Sequence, residues 1–330
     1  LVGSEMCIRD RGTSSLAYPI KNYRIYFKNA AKEEGKLYLG CNEQGIGGEL
    51  QEKAKFSFRL ASSNNYAAAP VDCFCTKADF AESSSSHNTG MARIVQDTLL
   101  GIGEFVPPQK YVNREQYQYD VRTTIDGEPC LFFYRGTVEE TPQFLGKFNW
   151  NNDKSTEDVF GFLNIPGYHD QAWVTEKFEG NNPTECWEFL NNDYPMGMFL
   201  DDDFDTKGED GIPNWLKVFE ARFPDDDNIN AEYEAGTKKP KYLEALVKWV
   251  KSTDTTAEGL DEEEKKARAK KFRDELGNYF DVNYLCDYYE FTDIFACVDQ
   301  RVKNMMMAFW YSPDMDRMLA YMIFYDNDTI

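Results

Sequence analysis

Three oxygen-bearing side chains near the end of the sequence have types and a spacing that suit phosphate chemistry. Asp299 is followed five positions later by Asn304, and Asp326 comes after two short apolar stretches. A carboxylate such as that of Asp299 can accept the proton of an attacking hydroxyl group. Carboxylate and amide oxygens such as those of Asp326 and Asn304 are the hard ligands that Mg²⁺ prefers. The sequence therefore predicts a site where a divalent cation and a phosphate meet.

The order Asp, Asn, hairpin, Asp is also the order in which protein-kinase-like folds hold ATP. In such folds the first Asp orients or deprotonates the acceptor hydroxyl, while the Asn and the later Asp bind the cations that bridge the phosphates. Capping is the open alternative, because Asp at a helix end and Asn in a turn are common for local reasons alone. The prediction requires Asn304 and Asp326 to converge at the ends of two adjacent strands.

A kinase-like site also uses a Lys on a strand that precedes a helix. Lys77 lies on a strand predicted over 71–79, ahead of a helix predicted over 89–100. The Glu expected on that helix is missing, because the only acid there is Asp97, and no glycine-rich phosphate loop is evident. Lys77 is therefore predicted as a phosphate contact, with an ordinary surface Lys as the alternative.

The elements that must position these residues form a β-rich first part and a helical second part. Alternating or apolar segments predict strands at 23–28, 55–60, 71–79, 146–150 and 185–190, a hairpin turning at Asp126-Gly127, and a polar loop over 151–158. Helical periodicity predicts helices over 240–252, from Asp261 onward and over 283–298, followed by a hairpin of 304–310 with 319–325. The prediction is an α+β chain in two lobes, 12–200 and 201–330.

Neither end of the sequence looks like the natural boundary of a domain. Residues 1–11 resemble the translation of a sequencing adapter, as found at the ends of assembled metagenomic fragments, and we exclude them from the fold. The sequence stops at Ile330, directly after the Asp326-x-Asp328 pair. We therefore expect a fragment cut at both ends, with the metal loop truncated at its C-terminal side.

Composition limits the classes of partner. The formal net charge is −21, with 36 Lys and Arg against 57 Asp and Glu. Such a field repels nucleic acids and anionic membranes, so we expect neither as a partner, and phosphate binding would need a divalent cation as mediator. The eight cysteines are scattered without a C-x-x-C pair. This spacing argues against a structural zinc site and favours reduced thiols.

Several segments together resemble CotH-type spore-coat kinases. They are 74–80 (Phe-Cys-Thr-Lys-Ala-Asp-Phe), 84–90 (Ser-Ser-Ser-His-Asn-Thr-Gly), Asp126-Gly127, 298–304 (Val-Asp-Gln-Arg-Val-Lys-Asn) and 324–329 (Phe-Tyr-Asp-Asn-Asp-Thr). The segments 148–156, 185–189 and 299–304 are also similar to uncharacterised structural proteins of gut bacteriophages. The resemblance covers roughly residues 50–330 in scattered motifs.

The resemblance implies an atypical protein-kinase-like fold that phosphorylates protein hydroxyls with ATP and Mg²⁺ (or Mn²⁺). It assigns Asp299 as the catalytic acid, Lys77 as the phosphate contact, and Asn304, Asp326 and Asp328 as metal ligands. The alternative is a catalytically inactive virion structural protein that uses the same fold as a scaffold. The partners would be a protein substrate or other virion proteins, in the cytoplasm of a bacterial host or in the virion.

Overall fold

The computed structural model describes residues 22–26, 67–69, 71, 73–78, 87–135, 137, 139–154, 157–190, 204, 206–301 and 304–326. Within these ranges the chain is α+β, with two four-stranded antiparallel sheets and one short parallel pair of strands. The α+β class predicted from the sequence is confirmed. The strand predicted at 55–60, the segment 1–11 and Asp328 lie outside the described residues.

The strands and helices follow each other along the whole described chain. The strands are β1 (Tyr23–Tyr26), β2 (Ala67–Ala68), β3 (Cys73–Lys77), β4 (Tyr119–Asp120), β5 (Gly127–Tyr134), β6 (Gln143–Asn152), β7 (Glu185–Phe189), β8 (Phe219–Phe223), β9 (Met306–Ser312) and β10 (Arg317–Ile323). The α-helices are α1 (His87–Ile102), α2 (Pro107–Tyr111), α3 (Glu157–Phe160), α4 (Ala172–Phe178), α5 (Asp227–Ala235), α6 (Lys241–Thr253), α7 (Glu262–Glu275) and α8 (Val282–Ile294). Short 3-10 helices occupy Asn214–Lys217, Leu276–Asn278 and Val298–Arg301.

The described residues divide into two compact units, one of 22–102 and 114–161, the other of 103–113 and 162–326. The first unit holds the sheet β1-β3-β6-β5, and the second holds the sheet β10-β9-β7-β8. β7 lies within the range predicted for the N-terminal lobe, 12–200, yet it pairs with β9 and β8 in the second sheet.

The first sheet differs from the sequence prediction at the Asp126-Gly127 pair. These residues do not form a hairpin turn: Gly127 is the first residue of β5 and lies opposite Asn151 of β6. A Cβ atom on Gly127 would overlap the Trp150 carbonyl oxygen and lie 2.7 Å from the Asn151 Cβ atom. Close approach of two strands, and not a positive φ, therefore requires glycine here. The hairpin predicted at this position is wrong.

The first sheet also extends into the segment predicted as a polar loop. β6 continues through Asn151 and Asn152, and both side chains are buried. Asn152 Oδ1 accepts from the Asp126 N–H at 2.6 Å, and the Asn152 N–H donates to the Asp126 carbonyl at 3.1 Å. These bonds satisfy polar groups that burial would otherwise make costly. The loop prediction is therefore wrong at its first two residues.

The second sheet confirms the predicted terminal hairpin and adds an unpredicted strand. β9 and β10 pair antiparallel from Met306 opposite Ile323 to Ser312 opposite Arg317. β7 pairs with the other edge of β9, and β8, which the sequence prediction missed, pairs with β7. Every residue of β9 is buried, so this strand runs through the interior of the unit.

The three helices predicted in the second unit, α6, α7 and α8, begin within one residue of their predicted starts, whereas α2, α4 and α5 were not predicted. Asp261 accepts from the Glu264 N–H while the Glu264 side chain accepts from the Asp261 N–H, which is a capping box at the start of α7. α6 buries Leu243, Leu246 and Val247 along one face. α8 ends at Ile294, four residues earlier than predicted, because Ala296 adopts a left-handed φ of 53°.

Two further observations concern the described chain as a whole. The six cysteines within it are free thiols. None of its helices combines the length and the apolar character that crossing a bilayer would demand.

Candidate functional site

Asp299 lies in the 3-10 helix Val298–Arg301, which follows α8 after a sharp turn. The turn is closed by the Cys297 N–H, which donates to the Thr292 carbonyl at 2.9 Å. The position of Asp299 just beyond a helix end matches the sequence prediction. Its side chain lies outside the described part of the structure, so its role as the catalytic acid stays a prediction.

The last turns of α8 hold this 3-10 helix in place. The buried Tyr288 hydroxyl donates to the Gln300 carbonyl at 2.7 Å. Burial raises the pKa of Tyr288 far above its usual value, so the phenol keeps the proton that it donates. Arg301 adds bonds from Nε to Thr292 Oγ1 at 2.9 Å and from Nη2 to the Tyr289 carbonyl at 2.6 Å. The backbone around Asp299 is therefore fastened to α8 on both sides.

Asn304 and Asp326 meet at the open end of the β9–β10 hairpin. Asn304 Nδ2 donates to Asp326 Oδ2 at 2.8 Å. Both residues adopt a left-handed backbone, with φ of 60° and 57°. Asn and Asp tolerate this conformation better than other residues with a Cβ atom. The predicted convergence of these two side chains is confirmed, while their role as metal ligands stays a prediction.

Backbone pairing fixes the position of Asn304. The Asn304 N–H donates to the Phe189 carbonyl at 3.2 Å, and the Phe189 N–H donates to the Met305 carbonyl at 2.8 Å. These bonds continue the pairing of β7 with β9 beyond the end of β9. Asn304 therefore lies just before a central strand of the sheet, and its backbone is held by the pairing with β7.

Aromatic side chains of α8 fix the strand end that leads to Asp326. The Tyr284 hydroxyl donates to the Met322 carbonyl at 2.9 Å. The ring of Phe324 packs against the ring of Tyr288, with 4.9 Å between centroids, and against that of Phe291 at 6.1 Å. One helix thus positions both the 3-10 helix with Asp299 and the strand end before Asp326.

The donor atoms at this hairpin end fit a hard divalent cation. Asn304 and Asp326 offer one amide and two carboxylate oxygens, and Mg²⁺ is commonly held by one or two carboxylates with waters and phosphate oxygens completing its shell. Among the described residues there is no cluster of three or more His, Cys, Asp or Glu side chains. If a cation binds here, Asn304 and Asp326 would supply only part of its coordination shell, and waters or phosphate oxygens would complete it.

Lys77 is the last residue of β3, in the first unit, and is half-buried. It lies opposite Asn149 of β6, whose Oδ1 accepts from Thr89 Oγ1 of α1 at 3.2 Å. The strand and the following helix predicted around Lys77 are both present, and α1 is longer than predicted. Its role as a phosphate contact stays a prediction.

The helix after Lys77 makes a different ion pair from the one found in kinase-like sites. α1 carries no Glu. Instead Arg93 Nη2 donates to Glu128 Oε1 of β5 at 2.9 Å and to the Gly127 carbonyl at 3.1 Å. The charges are thus reversed, because the helix supplies the cation and the sheet supplies the acid.

The sequence interpretation missed the residues that position the site. Tyr284, Tyr288 and Arg301 each bond to the backbone and thereby restrain a segment beside Asp299 or Asp326. Arg301 could have been identified from the sequence, since it lies two residues after Asp299 within the same motif. The tyrosines could not, because their partners are backbone carbonyls brought near only by folding.

Comparison with known proteins gives no family. No protein-family model matches the chain, and no curated protein matches it either.

Proposed function

We propose that this chain is a CotH-like protein with a kinase-like fold that binds ATP together with Mg²⁺ (or Mn²⁺) and transfers the γ-phosphoryl group to a protein hydroxyl. The observation that carries the proposal is the contact of Asn304 with Asp326 at the open end of a buried hairpin. Asp299 precedes this hairpin in a 3-10 helix restrained by α8.

Each residue has a role in this proposal. Asn304 and Asp326 would hold the cation, with Asp328 as a further ligand, and the cation would offset the charge of the phosphates. Asp299 would accept the proton of the acceptor hydroxyl as the phosphorus–oxygen bond forms. Lys77 would contact a phosphate. The cation would also reduce the repulsion between ATP and a chain with a net charge of −21.

The test is ATP affinity measured by titration calorimetry with and without Mg²⁺. Asp326→Asn is the sharpest variant, because Asn keeps the shape of the side chain and tolerates the left-handed backbone while removing the charge. We expect Mg²⁺-dependent affinity to fall at least about tenfold. Asp314→Asn is the matched control, since Asp314 is an exposed acid at the opposite end of the same hairpin.

ATP affinity that is equal in the wild type and in Asp326→Asn would remove the assignment of this site. Equal losses in Asp326→Asn and Asp314→Asn would point to general electrostatics and would also count against it.

A second candidate function is that of a virion scaffold without catalytic turnover, and the reversed ion pair favours it. A kinase-like site uses a Lys–Glu pair between sheet and helix, whereas Arg93 here pairs with Glu128. Incorporation of labelled γ-phosphate into protein separates the two candidates. Incorporation that is lost in Asp299→Asn supports the kinase, and ATP binding without any incorporation supports the scaffold.

A further inference from the structure

The second unit contains an apolar cavity of about 240 Å³ beside α8. Its walls come from α6, α7, α8 and the second sheet, through side chains such as Leu246, Val250, Phe272, Leu285 and Met307. Among the described residues that line it, Arg301 is the one charged side chain. The cavity is therefore hydrophobic nearly everywhere and basic at a single point.

A cavity of this size is not an ordinary packing defect. Protein interiors are close-packed, and voids larger than a water molecule are few. An apolar cavity of about 150 Å³ stays free of water and binds benzene. A cavity of about 240 Å³ with this lining has room for a larger apolar molecule, whose binding would restore the dispersion contacts that the wall atoms lack.

The cavity reaches the surface next to its charged residue. Phe272 is 42% exposed and Tyr289 is 55% exposed, although both line the cavity. The side chain of Arg301 is 28% exposed, and its guanidinium lies over the Tyr289 ring at 4.7 Å from the centroid. The opening therefore lies between α7 and α8, with the cation at its edge.

One nitrogen of the Arg301 guanidinium, Nη1, can donate hydrogen bonds to a ligand. Nε bonds to Thr292, and Nη2 bonds to the Tyr289 carbonyl and pairs with Asp293 Oδ1 at 2.8 Å. Within the described part of the chain, Nη1 has no hydrogen-bond partner. Its two N–H groups are thus available to an anionic oxygen at the mouth of the cavity, and charge-assisted bonds of this kind are the stronger ones.

We infer that this cavity binds an amphiphile with one apolar chain and one carboxylate, the chain filling the cavity and the carboxylate accepting from Arg301 Nη1. A medium-chain carboxylate has this chemistry. The cavity shares Arg301 with the residues that restrain the Asp299 segment, but ligand binding in the cavity requires no ATP and is measured without it.

The test is a calorimetric titration of the wild-type protein with decanoate. We expect saturable binding of one decanoate per chain at concentrations below those at which decanoate forms micelles. Val250→Phe places a ring in the cavity from α6 without burying a polar group, and we expect at least tenfold weaker binding. Val250→Ala is the matched control, because it enlarges the same wall and should retain binding.

The head group is tested with decanol, which has the same chain and no charge. We expect decanol to bind the wild type about tenfold more weakly than decanoate, since it loses the charge-assisted bond. Arg301→Gln should abolish this preference, because it should weaken decanoate binding much more than decanol binding. Thermal unfolding of each variant checks that the fold is retained.

Four results would overturn the inference. If decanoate does not bind the wild type, the cavity is not a binding site for it. If the wild type and Val250→Phe bind decanoate equally, the ligand binds outside the cavity. Decanol that binds as tightly as decanoate removes the role of Arg301. A dimer seen by sedimentation, and lost in Val250→Phe, would show instead that a second copy of the chain occupies the opening.

Discussion

The two four-stranded sheets have the same number of strands and the same antiparallel pairing, but the side chains that they bury differ in type. The first sheet buries amide side chains along β6, at Asn149, Asn151 and Asn152. The second sheet buries aromatic side chains, among them Trp187 of β7 and Trp310 of β9. The difference is one of balance, because the first sheet also packs Phe74 against Trp150 and the second also buries the ion pair of Arg222 with Glu188. Polar side chains are more prominent inside the first sheet, and aromatic rings inside the second.

The polar interior of the first unit depends on pairing. Arg24 pairs with Asp153, and Arg122 pairs with Asp120 at 3.0 Å and lies 3.6 Å from Asp126, all with side chains at most 8% exposed. Buried charges are tolerated only when they are paired, and removing one partner is strongly destabilising. Such a network selects one register among many, and its energy is concentrated in a few bonds.

The aromatic interior of the second unit distributes its energy over many contacts. The Trp310 ring lies 5.8 Å from that of Phe162 and 5.7 Å from that of Tyr321, measured between centroids. Close packing of large rings resists deformation because no single contact dominates. The candidate metal ligands Asn304 and Asp326 extend from this rigid sheet, which suits a site that must hold fixed distances.

The largest predicted effect comes from removing the centre of the aromatic interior. Trp310→Ala should lower the free energy of unfolding by about 3–5 kcal/mol, because it deletes a fully buried ring and leaves a cavity. Urea denaturation measures the change. Leu131→Ala on the exposed face of β5 is the control and should stay within about 0.5 kcal/mol. Similar values for both variants would contradict the comparison.

The next effect comes from breaking the polar network of the first unit. Arg122→Gln should cost about 3 kcal/mol at neutral pH, because Asp120 and Asp126 lose the cation that opposes their burial. Burial raises the pKa of both carboxyls above the usual 3.8, and Arg122 lowers it.

The pH dependence of this variant has a definite sign. A carboxyl group whose pKa is raised by folding favours the folded state most at low pH, and this contribution is lost as pH rises from the unfolded toward the folded pKa. Without Arg122 the pKa values of Asp120 and Asp126 in the folded state rise further, so more stability is lost as the pH rises. The deficit of Arg122→Gln relative to the wild type should therefore be larger at about pH 7 than at about pH 4, measured by urea denaturation. A deficit that shrinks over this range would contradict the role of Arg122.

A smaller effect is expected where β5 and β6 approach most closely. Gly127→Ala should cost about 1–3 kcal/mol, because its Cβ atom overlaps the Trp150 carbonyl. Gly90→Ala provides a control of opposite sign, since Gly90 lies in α1 with open space around a new Cβ atom and alanine favours the helix by about 1 kcal/mol. Thermal unfolding of the two variants gives the comparison directly.

The smallest effect is expected at the open end of the β9–β10 hairpin. Asn304→Ala should cost about 1–2 kcal/mol, because alanine tolerates the left-handed backbone poorly, whereas Asn304→Gly should retain most of the stability. Equal losses in the two variants would show that the bond to Asp326, and not the backbone, sets the stability here.

Local patterns in the sequence were sufficient for part of this fold. The capping box of Asp261 with Glu264 and the β9–β10 hairpin are both encoded within a few neighbouring residues. The convergence of Asn304 with Asp326 follows from the hairpin, so this part of the candidate site was predictable as well.

The remaining features depend on partners that are distant in sequence. Asn151 and Asn152 have a low intrinsic preference for strands. Their place in β6 depends on distant partners, because Asn152 bonds to Asp126 and Asn151 lies opposite Cys75 and Gly127. Asp126-Gly127 is a dipeptide typical of a tight turn. The structure requires glycine there for another reason, because a Cβ atom would overlap the Trp150 carbonyl oxygen. The tyrosine contacts that hold the Asp299 segment could not be predicted for the same reason.

The central place of β7 in the second sheet has a consequence for biosynthesis. β8, which pairs with one edge of β7, is translated soon after it, but β9, which pairs with the other edge of β7, is translated much later. At elongation rates of roughly 5–20 residues per second, this edge stays open for on the order of ten seconds. A nascent chain with an open strand edge that carries Trp187 and Phe189 is a substrate for chaperones, so we expect slower translation and lower temperature to alter the yield of folded protein.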